Sequence, residues 1–204
     1  MKRILFSLII VMGSVLSITS CADEGKENEG YVTYYPTFEY EPVVVVDLGN
    51  SFSPEVKATE DGKELKVESS GIEDVDINTV GAYTITYSAV NSDGYEGEVE
   101  QTVVVHDPNI VGTDVSGEIV DANNSTRTAT ISLVPGTKSI FYCTDFAFGG
   151  KFPMYFQMNG DVISEVKQVY IFGVSNVNLT YNPATKLFTT KVNPQGFSYT
   201  FKYK

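Results

Sequence analysis

Apolar and polar residues alternate with a period of two along much of the chain after residue 40, which is the pattern of half-buried β-strands. In residues 83–88, Tyr83, Ile85 and Tyr87 alternate with hydroxyl-bearing side chains. Further strands are predicted at residues 43–46, 56–59, 64–68 and 95–105. The Asp61-Gly62 pair separates two of them as a hairpin turn would. Strands at this spacing predict a β-sandwich over residues 40–108.

The same alternation continues to the end of the chain, after Pro108 interrupts it. Strands are predicted at residues 115–120, 127–134, 138–146, 152–158, 161–170, 178–181, 187–192 and 197–203. Turn-forming Gly, Pro and Asn residues separate them, and almost no helical period is present. The chain is therefore predicted to be all-β, with residues 109–204 forming a second antiparallel domain, either a barrel or a sandwich.

The N-terminus has the composition of a secretory signal. Lys2 and Arg3 precede an apolar run over residues 4–16, which is too short to span a bilayer as a permanent helix. A cytosolic chain with a buried N-terminal hydrophobic helix is the alternative, but no amphipathic period breaks the run. The segment ending at Cys21 resembles the lipobox of bacterial lipoproteins. That resemblance implies a signal peptide over residues 1–20, cleavage before Cys21, and acyl chains such as palmitate on Cys21 as a membrane anchor.

Residues 21–39 are predicted to be an acidic tether. Ala22 stands where an inner-membrane retention signal would place Asp, and Asp23, Glu24, Glu27 and Glu29 follow. This acidic patch resembles the surface-export signal of Bacteroidota lipoproteins, which implies an outer-membrane protein that faces outside the cell. A solvated tether that happens to be acidic is the alternative.

Charge divides the chain into two parts. Residues 22–106 contain 19 acidic and 4 basic residues, whereas residues 107–204 contain 7 and 8. This asymmetry predicts two units with separate surfaces. Nucleic acid is not expected as a partner, because the first part repels phosphates and the second has no basic stripe.

Three segments of the predicted sandwich, residues 48–52, 58–63 and 78–89, carry a family resemblance. They resemble the bacterial Ig-like domain found in surface proteins and in insecticidal crystal-type proteins. Gly81 permits a tight entry into the strand, and Tyr83 is expected to fold back onto the preceding loop as a tyrosine corner does. The resemblance implies a spacer or presentation module without catalytic residues.

The second half resembles the C-terminal β-domain of two-domain lipoproteins of gut Bacteroidota, which are often met beside glycan-uptake systems. The matching pieces are the turn at residues 181–185 and the entry at residues 115–117. This resemblance implies a calycin-like antiparallel barrel with an accessory or binding role. A glycan or a component of a surface transporter is the expected partner.

Catalytic residues are scarce. His106 is the single histidine and lies at the domain junction, so a Ser-His-Asp or Cys-His arrangement is not expected. With Cys21 lipidated, Cys143 is the remaining thiol, and its place beside Phe141 on a strand predicts a buried, unreactive group. No motif pairs the carboxylates of the second half for glycoside hydrolysis. The chain is therefore predicted not to be an enzyme.

Calcium is the one cofactor for which the sequence offers ligands. Asp74 and Asp76 lie in one acidic loop, and Asn91 and Asp93 lie in another. Neither loop resembles a complete EF-hand, and simple turn formation is the alternative interpretation.

Aromatic residues near turns are the candidate ligand-binding residues. Phe146, Phe148, Phe152 and Tyr155 surround a Gly-Gly pair, and Tyr170 follows a predicted strand. Core packing is the alternative for these rings, and the chain has no Trp. The sequence thus favours a non-catalytic surface lipoprotein that captures a glycan or another nutrient. The alternative is a structural or adhesive module that contacts a protein partner.

Overall fold

The computed structural model describes residues 32–147, 149 and 151–204, and it is built almost entirely from strands. Strands β1–β7 are Thr37–Glu39, Val43–Asp47, Lys57–Glu60, Lys63–Leu65, Val67–Ser70, Gly81–Val90 and Glu96–His106. Strands β8–β15 are Gly117–Asp121, Asn124–Leu133, Ile140–Cys143, Met154–Asn159, Val162–Glu165, Asn176–Asn182, Leu187–Asn193 and Phe197–Tyr203. One 3₁₀ turn, Ile72–Asp74, accompanies the strands. Within the described ranges, no helix has the length and apolarity needed to cross a membrane.

Strands β1–β7 form a two-sheet sandwich. One sheet has the order β1-β3-β4 and the other β2-β7-β6-β5, with β2 parallel to β7. The inward faces of β6 and β7 supply the core, in which Ile85 and Val103 are fully buried. These are the residues that the alternation placed on one face, because successive side chains of a strand point to opposite sides. The predicted Ig-like sandwich is therefore confirmed.

Two local features of the sandwich were expected from sequence. Asp61 and Gly62 have φ values of 46° and 77°. Positive φ at both central residues is the geometry of the two-residue hairpin turn that suits twisted strands. The Tyr83 hydroxyl donates a hydrogen bond to the Thr79 carbonyl at 2.9 Å, as a tyrosine corner does. Both features fix how the chain enters β4 and β6.

The first strand of the fold begins before the predicted end of the tether at residue 39. Strand β1 lies inside residues 21–39, and its central residue Phe38 packs against the sandwich core. The tether prediction was therefore too long at its C-terminal end, because a three-residue strand is too short to show an alternation of its own.

Strands β8–β15 form one antiparallel sheet that nearly closes into a barrel. Its order is β12-β11-β10-β9-β8-β15-β14-β13, so each strand pairs with a sequence neighbour and β15 returns to pair with β8. Phenylalanine rings fill the interior: Phe146 lies 5.6–5.8 Å from the rings of Phe156, Phe188 and Phe201. The predicted antiparallel barrel is confirmed, and its interior is a packed core.

The edges of β12 and β13 meet at the seam of the barrel, where side-chain contacts take over from ladder hydrogen bonds. Glu165, the last residue of β12, accepts hydrogen bonds from the Val177 backbone N–H at 3.1 Å and from the Tyr170 hydroxyl at 2.5 Å. One carboxylate therefore bridges β13 and the segment that follows β12. Such a bridge satisfies polar groups that the open seam would otherwise leave unpaired.

The strand predicted over residues 161–170 ends at Glu165, five residues early. The chain leaves the barrel there because its backbone finds another partner, in the sandwich. The Ala82 N–H donates to the Lys167 carbonyl at 2.8 Å, and Lys167 forms an isolated parallel bridge with Gly81. This pairing is non-local, so the alternation of residues 161–170 gave no sign of it.

The separate surfaces expected from the charge asymmetry are not found. Residues 34–204 form one compact unit, and the sandwich and barrel share a buried cluster of Val104, Val134, Ile140 and Val166. The two parts therefore differ in net charge and still pack together.

Candidate functional site

The interface between the sandwich and the barrel is a wedge that is closed at one end and open at the other. Alternate residues of β7 point toward the barrel. The exposed fraction of these residues rises from the closed end of the wedge to its open end. His106 is 3% and Val104 0% exposed, Thr102 is half-buried and Glu100 is exposed. The two parts of the fold therefore touch near the connection at residue 107 and separate toward Glu100.

The closed end is held by apolar packing between the two parts, and a polar pair of the sandwich lies next to it. Val104 of β7 packs with Ile140 of β10 and Val134, so both parts contribute to the same cluster. Beside it, His106 Nε2 lies 3.0 Å from Asp47 Oδ1 on the neighbouring strand β2. The histidine is thus buried at the base of the wedge.

The open end forms a groove of about 650 Å³, which we call the interface groove. Its lining residues come from strands of both parts and from the segments after β9, before β11 and after β12: Val43, Ala82, Thr84, Glu100, Thr102, Ser132, Leu133, Val134, Pro135, Tyr142, Pro153, Tyr155, Gln168 and Val169. A volume of this size and a mixed lining, mostly apolar with a few polar groups, are typical of small-molecule sites.

Two tyrosines form the aromatic part of the barrel wall. Tyr142 of β10 and Tyr155 of β11 are cross-strand partners, and their ring centroids are 5.0 Å apart at an interplanar angle of 50°. Both point outward because their neighbours Phe141 and Phe156 point into the barrel. Burial raises the pKa of both phenols, so each stays a neutral hydroxyl that can donate a hydrogen bond.

Gln168 attaches the segment after β12, which lines the groove, to strand β11 of the barrel. Its side-chain Oε1 accepts a hydrogen bond from the Tyr155 N–H at 2.9 Å, and its Nε2 donates to the Tyr155 carbonyl at 2.7 Å. Strand β12, the neighbour of β11, ends at Glu165. The Gln168 side-chain amide therefore makes the hydrogen bonds to Tyr155 that the backbone of a longer β12 would have made. The backbone of Tyr155 is thereby fixed, and with it the position of the ring that lines the groove.

The predicted ligand-binding aromatics divide between this groove and the barrel core. Phe146 and Phe152 are fully buried, so the prediction that they present rings to a ligand is wrong. The Phe146 N–H donates to the Phe152 carbonyl at 3.1 Å, and both rings pack in the barrel core. Tyr155 does lie in the groove, whereas Phe148 and the lipidation residue Cys21 lie outside the described residues.

Tyr170 packs against the barrel core rather than in the groove. Its ring stacks on Phe152 with centroids 5.7 Å apart and an interplanar angle of 7°. Burial and the hydroxyl's hydrogen bond to Glu165 raise the pKa of this phenol. Tyr170 therefore stabilises the seam of the barrel through its contacts with Glu165 and Phe152.

The candidate calcium ligands lie in two loops at opposite ends of β6. The Asp76 carboxylate accepts hydrogen bonds from the Asn78 N–H at 3.0 Å and the Thr79 hydroxyl at 2.7 Å. At the other end, Asn91 Oδ1 accepts from the Asp93 N–H at 3.1 Å. Across the described ranges, no group of three or more His, Cys, Asp or Glu side chains is arranged to hold a metal ion. The contacts of both loops are those of turn formation.

Cys143 lies in the barrel core, as the sequence predicted. It is 0% exposed, and burial strongly raises the pKa of its thiol. A thiol that stays protonated in an apolar core is not a nucleophile.

Sequence reasoning missed Tyr142, Thr102, Glu100 and Gln168 as groove residues. Tyr142 carried a usable signal, since it is a large ring on the face opposite Phe141 and Cys143. The other three are polar residues on the polar face of a strand or in a loop, where solvent exposure is the ordinary expectation. Only the docking of the barrel onto the sandwich brings them together.

Comparison with known proteins supports the sandwich assignment. Residues 36–105 match the family described as bacterial surface protein, Ig-like domain. Among solved structures, a lipoprotein from Bacteroides thetaiotaomicron is similar at 24% identity, with 82% of this chain and 98% of that chain covered and a TM-score of 0.40. No curated protein matches the chain. The family match places an Ig-like domain of bacterial surface proteins in the first half, in agreement with the predicted resemblance.

Proposed function

We propose that this chain is a lipoprotein of the bacterial outer membrane that faces outside the cell and binds a glycan in the interface groove without catalysis. The lipobox-like segment ending at Cys21 supports the anchor, and the surface-protein family match supports the location. A component of a surface transporter is the partner to which captured glycan would pass.

The pair of tyrosines in a groove of ligand size is the observation that carries this proposal. Pyranose rings have apolar faces that pack on aromatic rings, and Tyr142 and Tyr155 place two neighbouring aromatic rings, with centroids 5.0 Å apart, in the groove lining. Hydroxyls of Thr84, Thr102 and Ser132 line the same groove and can exchange hydrogen bonds with sugar hydroxyls. The site combines apolar stacking surface with orienting polar groups, as binding pockets do.

The placement of the reactive groups supports binding without catalysis. Glycoside hydrolysis uses two carboxyl groups on either side of the scissile bond. Among the described residues that line the groove, Glu100 is the one carboxylate. His106 is buried at the closed end of the wedge beside Asp47, away from the groove.

A glycan-array screen of the unlipidated chain, residues 22–204, tests the proposal. We expect one glycan class to bind, and Tyr155→Ala to weaken that binding about tenfold through loss of stacking. Tyr95→Ala is the matched control, because Tyr95 belongs to a second tilted tyrosine pair, with Tyr35, outside the groove. Equal losses for the two variants would contradict the groove as the site.

Running the array with calcium and again with chelator tests the calcium proposal for the loops of Asp74, Asp76, Asn91 and Asp93. Calcium-dependent binding that Asp76→Asn abolishes would support a metal site there. Unchanged binding in chelator would leave turn formation as the role of these residues.

A structural or adhesive module is the second candidate function, and an exposed apolar patch favours it. Ile171 is 44%, Phe172 62% and Phe197 53% exposed. The Gln195 amide donates to the Phe172 carbonyl at 3.0 Å and joins the loop of Phe172 to the turn that precedes Phe197, the first residue of β15. No glycan binding on the array, together with cell-surface adhesion lost in Phe172→Ser, would favour this second function over glycan capture.

A further inference from the structure

In the described part of the chain, the charged side chains that line the interface groove and those on the β7 face leading out of it are all negative. Glu100 is the only charged residue among the described residues that line it. Glu98 and Glu96 follow on the same face of β7, and both are exposed. Gly97 between them faces the other way, since a Cβ there would meet Pro36 and Phe38 of the sandwich interior. The three carboxylates form a row leading out of the groove, about 7 Å apart along the strand.

The strands beside this row do not neutralise it. The residues of β6 paired with the three glutamates are Thr86, Ser88 and Val90, which carry no charge. On the following strand, β5, Glu68 already accepts the Lys66 ammonium at 2.7 Å. Within the described part of the chain, the ion pairs engage other carboxylates than those of the row.

The barrel wall adds no positive charge to the groove lining either. Lys167 lies in the segment that borders the groove, but its ammonium sits over the Tyr83 ring, 5.2 Å from the centroid. The remaining groups on this wall are neutral, including the Tyr142 and Tyr155 phenols. Among the described residues of the groove lining and of this face of β7, the charged side chains that a ligand stacked on the tyrosines would meet are therefore all negative.

We infer that the glycan of the interface groove carries free amines. This inference rests on the proposed function and adds the chemical class of the ligand. The pyranose faces stack on Tyr142 and Tyr155, while protonated amino groups on successive sugars pair with Glu100, Glu98 and Glu96. Uronic-acid glycans are repelled by the same row, because like charges are disfavoured at close range.

Two oligosaccharides with one backbone test the inference: chitosan oligomers, which carry free amines, and chitin oligomers of equal length, whose amines are acetylated. Binding to unlipidated residues 22–204 is measured by isothermal titration calorimetry at mildly acidic pH, where the amines are protonated. We expect chitosan oligomers to bind about tenfold more tightly at low salt, and the preference to shrink as salt rises. Glu100→Gln should reduce the preference about threefold, whereas Glu73→Gln, which removes an exposed charge outside the groove, should leave it intact.

The outcomes separate the inference from the proposed function. Equal affinity for the two oligomers, or a preference unchanged in Glu100→Gln, overturns the amine inference and leaves glycan capture standing. Oligogalacturonate binding as tightly as chitosan overturns it as well. Failure of both oligomers and of every class on the array overturns the proposed function and the inference together.

Discussion

Truncation of Val104 probes the cluster that joins the sandwich to the barrel. Val104 is 0% exposed on the outward face of β7, and it packs with Val134, Ile140 and Val166. Val104→Ala removes two methyl groups, at about 0.8 kcal/mol each for lost burial, and leaves a small cavity. We expect a total loss of about 2 kcal/mol in the free energy of unfolding, or about 4–8 °C in Tm.

Val103→Ala is the matched control. Val103 is also 0% exposed and lies next along β7, but it faces the sandwich core. Both variants should lower the stability of the sandwich. Only Val104→Ala should loosen the contact with the barrel, and with it the protection of the amides of β10.

Hydrogen exchange read by mass spectrometry distinguishes the two variants. The reasoning predicts faster exchange at Ile140–Cys143 in Val104→Ala and wild-type exchange there in Val103→Ala. If both variants accelerate exchange of β10 equally, or if Val104→Ala leaves it unchanged, the shared cluster does not couple the two parts.

Three further predictions concern local features. Tyr83→Phe removes the hydrogen bond to the Thr79 carbonyl and should lower the free energy of unfolding by about 1 kcal/mol, measured by urea denaturation. Cys143 should resist maleimide labelling in the native protein and react only after unfolding, because burial raises the pKa of its thiol; rapid native labelling would contradict its place in the core. Burial raises the pKa of Tyr203 to about 12, so the folded state retains a proton that the unfolded state loses near pH 10, and stability should fall between about pH 10 and 12. Denaturation measured across that pH range checks the predicted direction of the change in stability. The loss of stability should be smaller in Tyr203→Phe.

The strands and local turns of this fold could be predicted from sequence because the signals that specify them are local. The alternation in β6 identified the face that carries Ile85, and the Asp61-Gly62 pair specified a turn with two positive φ values. The eight barrel strands were likewise visible as alternating segments. Their order in the sheet follows chain order except at the β15–β8 closure, which no local pattern encodes.

The candidate site could not be predicted because it depends on contacts between distant segments. Phe146 and Phe152 flank a Gly-Gly pair, and the sequence was compatible with ligand contact as well as with core packing, but both rings are fully buried in the barrel core. Residues after Glu165 alternate like a strand, but they leave the barrel to pair with Gly81 of the sandwich. That pairing and the Val104 cluster bring the two walls of the groove together, and neither leaves a pattern in the sequence.

Mapping a bound glycan onto the backbone tests the central claim most directly. The unlipidated chain, isotope-labelled, is titrated with the glycan selected by the array, and amide chemical shifts are followed by NMR. The account predicts the largest shifts at Tyr142, Tyr155 and Thr102, on the two walls of the interface groove. Shifts confined to the exposed loop of Phe172 and to Phe197, or no shifts with any glycan class, would contradict it.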